Sequence, residues 1–143
     1  MTIKKFGTAH WEGSIKEGKG TVSTESGALS AQPYGFNTRF EGVAGTNPEE
    51  LIGASHAACF AMALSGILGG AGLTATALDA KSVISLEKQP EGFAVTAAHL
   101  TLTATIPGAT EEQFQELAAK AKAGCPISKL LNATVTLEAT LKA

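Results

Sequence analysis

The two cysteines are the residues of this sequence most able to carry chemistry. Cys59 and Cys125 lie far apart in the chain and match no C-x-x-C metal or redox spacing. Cys125 lies between Gly124, which suits a helix end, and Pro126, which suits the first position of a new helix. Unpaired N–H groups at such a position favour a thiolate. The residues alone leave both thiols open between an inert role, in the core or in a turn, and a reactive one.

His56 is a candidate to activate Cys59, because residues three apart on a helix are neighbours on its surface. Such a Cys–His pair would make a nucleophile and therefore a hydrolase, although no residue is obviously placed to orient the imidazole. A zinc site would need this pair together with Cys125 and His99, and its irregular spacing makes it the weaker hypothesis. A histidine that simply packs against a helical neighbour is the commoner arrangement.

Arg39 and Glu49 are the charged residues that become interesting beside a cysteine. Each has a plain structural interpretation, as a solvated strand arginine and as a carboxylate in the first turn of a helix. A thiol that is ionised at neutral pH, however, needs a permanent positive neighbour such as Arg39. A carboxylate such as Glu49 would then hold the fork of the guanidinium in place.

The first half of the chain predicts strands followed by one long helix. Thr21–Glu25 and Phe36–Glu41 alternate as strands do, and the second of these places its arginine on the polar face of a strand. His10–Trp11 are expected to hold an early strand in the core. A helix then begins after Asn47 as N-cap, with proline at its first position, and ends at paired glycines near Gly70.

The second half of the chain predicts a hairpin, a helix and a final strand. Strands Lys81–Glu87 and Phe93–Ile106 flank the turn Gln89–Gly92, and a helix opened by Thr110 ends at Gly124, with room for one more helical turn after it. Thr134–Leu141 closes the chain as a strand. The buried stripe of the helix is predicted to be Phe114, Leu117, Ala118 and Ala121.

Together these patterns predict one α+β domain over residues 1–143, with mainly antiparallel strands and two principal helices. Hydrophobic residues make up 44% of the chain and charged residues 17%, a composition typical of a globular protein. The formal charge of -2 excludes the basic field of a nucleic-acid binder. The central helix is apolar nearly all round, and so small a domain can hardly cover it alone, which favours a dimer.

The sequence also predicts where the protein works. The apolar stretch Leu51–Leu73 is long enough to cross a bilayer, but it consists largely of Ala, Gly and Ser without aromatic or basic flanks. We therefore expect a buried helix and no membrane association. The first residues contain two lysines but no apolar block, so no signal peptide is expected and the cysteines should be in the reducing cytoplasm.

Several motifs of this sequence resemble those of the OsmC/Ohr family of thiol peroxidases. These are Thr46–Gly53 followed by Cys59, and Lys120–Pro126 around the second cysteine. The opening His10–Gly13 and the segment Tyr34–Gly42 are similar to the OsmC branch in particular. The similarity covers essentially the whole chain, and paired cysteines in two separate contexts make it specific.

The resemblance implies an OsmC-like fold, an intertwined α+β homodimer whose central helices are wrapped by sheets from both chains. It implies reduction of organic hydroperoxides, preferred over hydrogen peroxide, without metal or other cofactor. Cys59 matches the peroxide-attacking residue and Cys125 the resolving one, while Arg39 and Glu49 match the activating pair. The resemblance also implies that a dithiol, such as that of a lipoylated protein, supplies the electrons, and that the protein is cytoplasmic and induced by osmotic stress.

One constraint follows from helix geometry. Glu49 and Cys59 are ten residues apart on one helix, so about 15 Å separates them along its axis. A single arginine can hardly bridge both within one chain, and we therefore expect Arg39 and Glu49 to meet Cys59 of a partner subunit. A redox-sensing or binding module without turnover, and the Cys–His hydrolase, remain as alternatives. The predicted apolar lining of a peroxide pocket is Phe36, Phe40, Met62 and Leu64.

Overall fold

The structure is a computed structural model that describes residues 1–142 and divides into two compact units. The first unit, Met1–Leu51, contains β1 (Gly7–Glu12), β2 (Lys19–Thr24), β3 (Gln32–Tyr34) and α1 (Phe36–Phe40). The helix α2 (Pro48–Gly70) begins at the end of this unit. The second unit, from Ile52 onward, also contains β4 (Ala77–Gln89), β5 (Gly92–Thr105), α3 (Glu111–Gly124), α4 (Pro126–Leu130) and β6 (Thr134–Leu141). The predicted α+β class is confirmed, while a single domain over 1–143 remains a prediction.

The first unit is an antiparallel sheet in the order β1-β2-β3. Gly20 on β2 lies opposite both Trp11 and Tyr34, whose rings pack with centroids 5.7 Å apart. A Cβ on Gly20 would come within 2.6 Å of both rings, so glycine is what lets them cover the strand. The prediction for the neighbouring His10 was wrong, because its side chain is 69% exposed and pairs with Glu12 instead of entering the core.

The predicted strand at Phe36–Glu41 is wrong, since residues 36–40 form the short helix α1. Gly35 precedes it in an extended conformation, and its backbone N–H and C=O both bond to the Thr38 hydroxyl. Phe36 and Phe40 share one face of the helix as an i,i+4 pair with ring centroids 4.9 Å apart. This contact requires the helical period, so Arg39 lies in the last turn of a helix and not on a strand.

The predicted start and end of α2 are confirmed. The Asn47 side chain accepts a hydrogen bond from the backbone N–H of Glu50 at 2.8 Å, which satisfies one of the free donors of the first turn. Pro48 occupies the first helical position, and the helix ends at Gly70.

The second unit contains a sheet in the order β4-β5-β6. The strands β4 and β5 form the predicted antiparallel hairpin, although β4 begins four residues earlier than predicted. The last strand, β6, pairs with β5 in parallel, because α3 and α4 carry the chain back before it enters the sheet. All four residues of the predicted α3 stripe are buried, which confirms its orientation.

The core of the second unit lies where α2 and α3 meet one face of β5. Phe60, Leu64 and Leu68 of α2 are completely buried there. The opposite side of α2 is exposed and consists mainly of small residues, with Met62 78% exposed. Among the described residues α2 is also the one helix long and apolar enough to cross a membrane by length and composition. Only 28% of this apolar stretch is buried within the described chain, so the expected helix buried on every side remains a prediction.

Candidate active site

Cys59 and Cys125, distant in sequence, meet in the second unit. Cys59 projects from the middle of α2 and is partly exposed, while Cys125 lies at the junction of α3 and α4 and is completely buried. Both are free thiols, and they lie close enough to interact by a hydrogen bond. The predicted short helix after Gly124 is α4, whose residues Ile127 and Ser128 offer backbone N–H groups to the sulfurs.

The two thiols differ in acidity within one chain. Burial raises the pKa of Cys59, and its interaction with Cys125 raises that pKa further. Burial also opposes ionisation of Cys125, but hydrogen bonds from Cys59 and from Ser128 outweigh it and lower the pKa of Cys125. Cys125 is therefore the more acidic thiol, as its position between two helices predicted, whereas Cys59 is the more accessible one.

Arg39 and Glu49 form a second pair, within the first unit. The Arg39 Nε and Nη2 groups donate to the two Glu49 carboxylate oxygens, each at 2.9 Å. The hydrogen bond from Glu49 raises the pKa of Arg39 while partial burial opposes that rise, so the guanidinium is firmly charged. Such a bidentate pair fixes the orientation of the guanidinium plane.

The elements that carry this ion pair are tied to each other. The Asn47 side-chain amide donates to the Thr38 carbonyl of α1 at 3.2 Å, while the same side chain caps α2. A cavity of about 260 Å³ opens beside Arg39. It is lined mainly by aromatic and apolar residues, namely Trp11, Ile15, Tyr34, Gly35, Phe36 and Phe40.

Two of the predicted pocket residues, Phe36 and Phe40, do line this cavity. The prediction for Leu64 was wrong, because this side chain is completely buried in the core of the second unit. Met62 is exposed on α2 and does not line this cavity.

His56 is not a partner of Cys59 as the Cys–His hypothesis required. Its ring is completely buried, with Nδ1 at 2.8 Å from the Ser82 hydroxyl and Nε2 at 2.8 Å from the Ser128 hydroxyl. Burial lowers the pKa of His56, which keeps the imidazole neutral. The sequence analysis missed both serines; Ser128 was detectable as a hydroxyl three residues after Cys125, whereas nothing in the sequence marks Ser82.

Of the residues weighed for zinc, only Cys59 and Cys125 meet, and a pair does not make a metal site. Within residues 1–142 no group of three or more His, Cys, Asp or Glu side chains is arranged to hold a metal ion. His99 lies on β5, where its ring bonds to the Thr136 hydroxyl of the neighbouring strand.

Two free thiols in contact can form and reopen a disulfide, which is the chemistry of thiol-based redox proteins. Comparison with known proteins identifies the family. Residues 40–140 match the family model described as OsmC-like protein, and the chain belongs to this OsmC family. The predicted resemblance is thereby confirmed.

Relatives and solved structures agree with this assignment. The chain is 60% identical to peroxiredoxin OsmC of Escherichia coli K12 over 99% of both proteins. It is 30% identical to the organic hydroperoxide resistance protein OhrB of Bacillus subtilis, covering 86% of this chain and 89% of that protein. A crystal structure of an organic hydroperoxide resistance protein OsmC from Legionella pneumophila superposes with a TM-score of 0.71 at 27% identity, covering 100% and 99% of the two chains.

These findings confirm the predicted enzyme class, a peroxidase of the peroxiredoxin type, and the OsmC-like fold. The roles of Cys59, Cys125, Arg39 and Glu49, the substrate, the reductant and the homodimer remain predictions.

Proposed function

We propose that this protein reduces organic hydroperoxides to alcohols, with Cys59 as the attacking residue and Cys125 as the resolving residue. The observation that carries the proposal is the contact between a partly exposed free thiol and a buried one. A peroxide can reach the first but not the second, since Cys125 has no exposed surface. The names of the relatives, peroxiredoxin OsmC and organic hydroperoxide resistance protein, support the same chemistry.

The reaction proceeds in three balanced steps. The Cys59 thiolate attacks one peroxide oxygen, the O–O bond breaks, and the leaving alkoxide takes a proton to become an alcohol, which leaves a sulfenic acid on Cys59. The sulfur of Cys125 then attacks the Cys59 sulfur, so that an S–S bond forms, the S–O bond breaks and water departs. A dithiol, such as that of a lipoylated protein, reopens the disulfide by exchange and restores both thiols.

Cys59 needs an activating charge that its own surroundings lack, because burial and Cys125 both raise its pKa. The Arg39 guanidinium, held by Glu49, is a suitable source of that charge. The separation of about 15 Å along α2 between Glu49 and Cys59 favours supply of this pair by a partner subunit. In this proposal the active site is completed only in a homodimer.

The exposed face of α2 supports the homodimer. The helix buries only one side within its chain and exposes Met62 together with many alanines, serines and glycines. Small residues allow a second helix to approach closely, and a second copy of the chain would cover this face. We further propose a cytoplasmic location, where free cysteines stay reduced.

The cavity beside Arg39 supports an organic substrate. Aromatic and aliphatic groups line most of it, so the carbon chain of an organic hydroperoxide gains contacts there that hydrogen peroxide cannot make. The expected preference appears in kcat/KM, since extra contacts made in the transition state increase this ratio.

The decisive experiment is turnover of cumene hydroperoxide and of hydrogen peroxide with excess lipoyl dithiol. We expect faster turnover of the organic peroxide and its loss in Cys59→Ser. When the dithiol is omitted, peroxide should leave a sulfenic or overoxidised species on Cys59 in Cys125→Ser. Loss of only the regeneration step in Cys59→Ser would reverse the assigned roles. Stoichiometric cysteine oxidation without turnover in the wild type would instead establish a redox sensor.

A further inference from the structure

His56 connects three elements of the second unit through its two ring nitrogens. It lies on α2, one helical turn before Cys59. Its Nδ1 is hydrogen-bonded to Ser82 on β4 and its Nε2 to Ser128 on α4, both at 2.8 Å. A completely buried polar ring with both nitrogens satisfied rigidly fixes the elements that it joins.

Ser128 in turn contacts Cys125. It lies in the first turn of α4, three residues after Cys125, where its hydroxyl and backbone N–H favour a negative charge on the Cys125 sulfur, and the Cys125 carbonyl accepts a backbone hydrogen bond from Lys129. A chain of hydrogen bonds therefore runs from Ser82 through His56 to Ser128, one helical turn from Cys125. Neither serine takes part in the peroxide chemistry proposed above.

The direction of these hydrogen bonds follows from their chemistry. A hydroxyl that donates to the Cys125 thiolate must accept its other bond, so Nε2 of a neutral His56 carries the proton toward Ser128. Nδ1 is then the acceptor, and the Ser82 hydroxyl donates to it. A neutral imidazole suits this role because it carries one donor and one acceptor on opposite sides of the ring.

Cys59 on α2 is the titratable group that interacts directly with Cys125. His56 influences Cys125 indirectly, because it orients the Ser128 hydroxyl. Cys125 belongs to the apolar core cluster that also contains Phe114 and Ala121 of α3, and its backbone N–H donates to the Ala121 carbonyl. The Ser128 hydroxyl, whose orientation His56 fixes, favours a negative charge on the Cys125 sulfur.

We propose that His56 and Ser128 are positioning residues that hold Cys125 ready to attack the oxidised Cys59. This inference rests on the proposed resolving role of Cys125. The Ser128 hydroxyl stabilises the sulfur as its proton leaves, and His56, anchored by Ser82, fixes that hydroxyl. The relay acts on disulfide formation, the step in which Cys125 takes part, and the attack of Cys59 on peroxide precedes that step.

The test separates the two steps of the reaction. In a Cys59→Ser background, ultraviolet absorbance of the thiolate gives the pKa of Cys125 without any peroxide. In the otherwise native chain, rapid mixing with peroxide gives the rate of Cys59 oxidation and then of disulfide formation. The variants are Ser128→Ala, Ser128→Thr, which keeps the hydroxyl, and His56→Gln. The matched control is His99→Gln, a partly exposed histidine on β5.

We expect Ser128→Ala to raise the pKa of Cys125, which lowers the thiolate fraction and slows disulfide formation about threefold at neutral pH. Ser128→Thr restores both, and His56→Gln shifts both in the direction of Ser128→Ala because a glutamine amide cannot span the two serines. Native values of the pKa and of the disulfide rate in Ser128→Ala would overturn the inference, even if His56→Gln failed to fold.

Failure of the proposed function would look different. If peroxide did not oxidise Cys59 of the native chain, the proposed role of Cys59 as the peroxide-attacking residue would be wrong. The titration of Cys125 in the Cys59→Ser background would still decide whether Ser128 and His56 act on its sulfur.

Discussion

At the scale of the residue, the ion pair of Arg39 and Glu49 is where a small change should affect chemistry most. Arg39 is the only arginine of the sequence, and its two parallel bonds to Glu49 need both the planar fork and the carboxylate. We expect Glu49→Gln to lower kcat/KM by about tenfold or more. Without the carboxylate the guanidinium is no longer held in place, so the ionised fraction of Cys59 decreases. Steady-state kinetics with an organic peroxide measures this.

The matched control for that change is Glu50→Gln. Glu50 is the next residue on the same turn of α2 and is exposed, with only its backbone N–H used in the cap. It should retain native kinetics. An equal loss in both variants would mean that the charge of the helix start matters and the ion pair does not.

A second prediction at this scale concerns His56 and acid. Burial lowers the pKa of His56 in the folded chain below its usual value of about 6.5. Between the two pKa values the unfolded chain therefore binds a proton at this residue and the folded chain does not. The free energy of unfolding should therefore decrease as pH falls below about 6.5, and level off below the folded pKa. Above about 6.5 this residue adds no pH dependence.

The measurement is urea unfolding at several pH values between about 7 and 5. His56→Gln should flatten the pH slope of stability in this window. An unchanged slope in His56→Gln would contradict a buried neutral imidazole.

At the scale of the element, the approach of α2 to β4 depends on Gly53. A Cβ at Gly53 would lie 2.8 Å from the backbone carbonyl oxygen of Ser82, one turn before the His56 bond to the same serine. We expect Gly53→Ala to decrease the free energy of unfolding by about 1–3 kcal/mol, since overpacking outweighs the helix propensity of alanine. Denaturant unfolding at a fixed protein concentration checks this.

Gly124 at the end of α3 provides the comparison, because nothing lies within 4 Å of a Cβ built there in the described chain. Gly124→Ala should leave stability unchanged or increase it by up to about 1 kcal/mol. A Gly53→Ala variant as stable as Gly124→Ala would show that the helix tolerates displacement from the strand.

At the scale of the whole molecule, the proposed dimer makes a prediction about complementation. A purified heterodimer of Cys59→Ser and Arg39→Ala subunits should keep one working site, with about half of native activity per dimer. Both parent homodimers should be inactive. Heterodimers without activity would place the activating arginine in the same chain as its cysteine and would refute the shared site.

The exposed face of α2 makes a second prediction at this scale. Met62→Glu should dissociate the dimer, because it places a charge in the face proposed to be covered by the partner. Ala119→Glu on the exposed side of α3 adds the same charge and should leave the dimer intact. Sedimentation velocity distinguishes the two, and a native dimer in Met62→Glu would place the interface elsewhere.

Local patterns predicted most elements because their determinants are local. The start of α2 needed only Asn47 and Pro48, and the alternation along β5 was long enough to exclude a helix. The strand predicted for Phe36–Glu41 was wrong because six residues are too few to distinguish the period of a strand from that of a helix. Its i,i+4 pair of phenylalanines is the signal that favours the helix observed, yet only the bonds between Gly35 and Thr38 decide it.

The sequence by itself determined the fold class, the family and the identity of the residues able to carry chemistry, because those depend on residue type, spacing and local period. Only the tertiary structure decided which side chains meet. It brought Cys59 to Cys125, joined Arg39 to Glu49, and engaged His56 with two serines from distant segments. Contacts between residues far apart in the chain depend on how helices pack on a sheet, and no local pattern of residues encodes that packing.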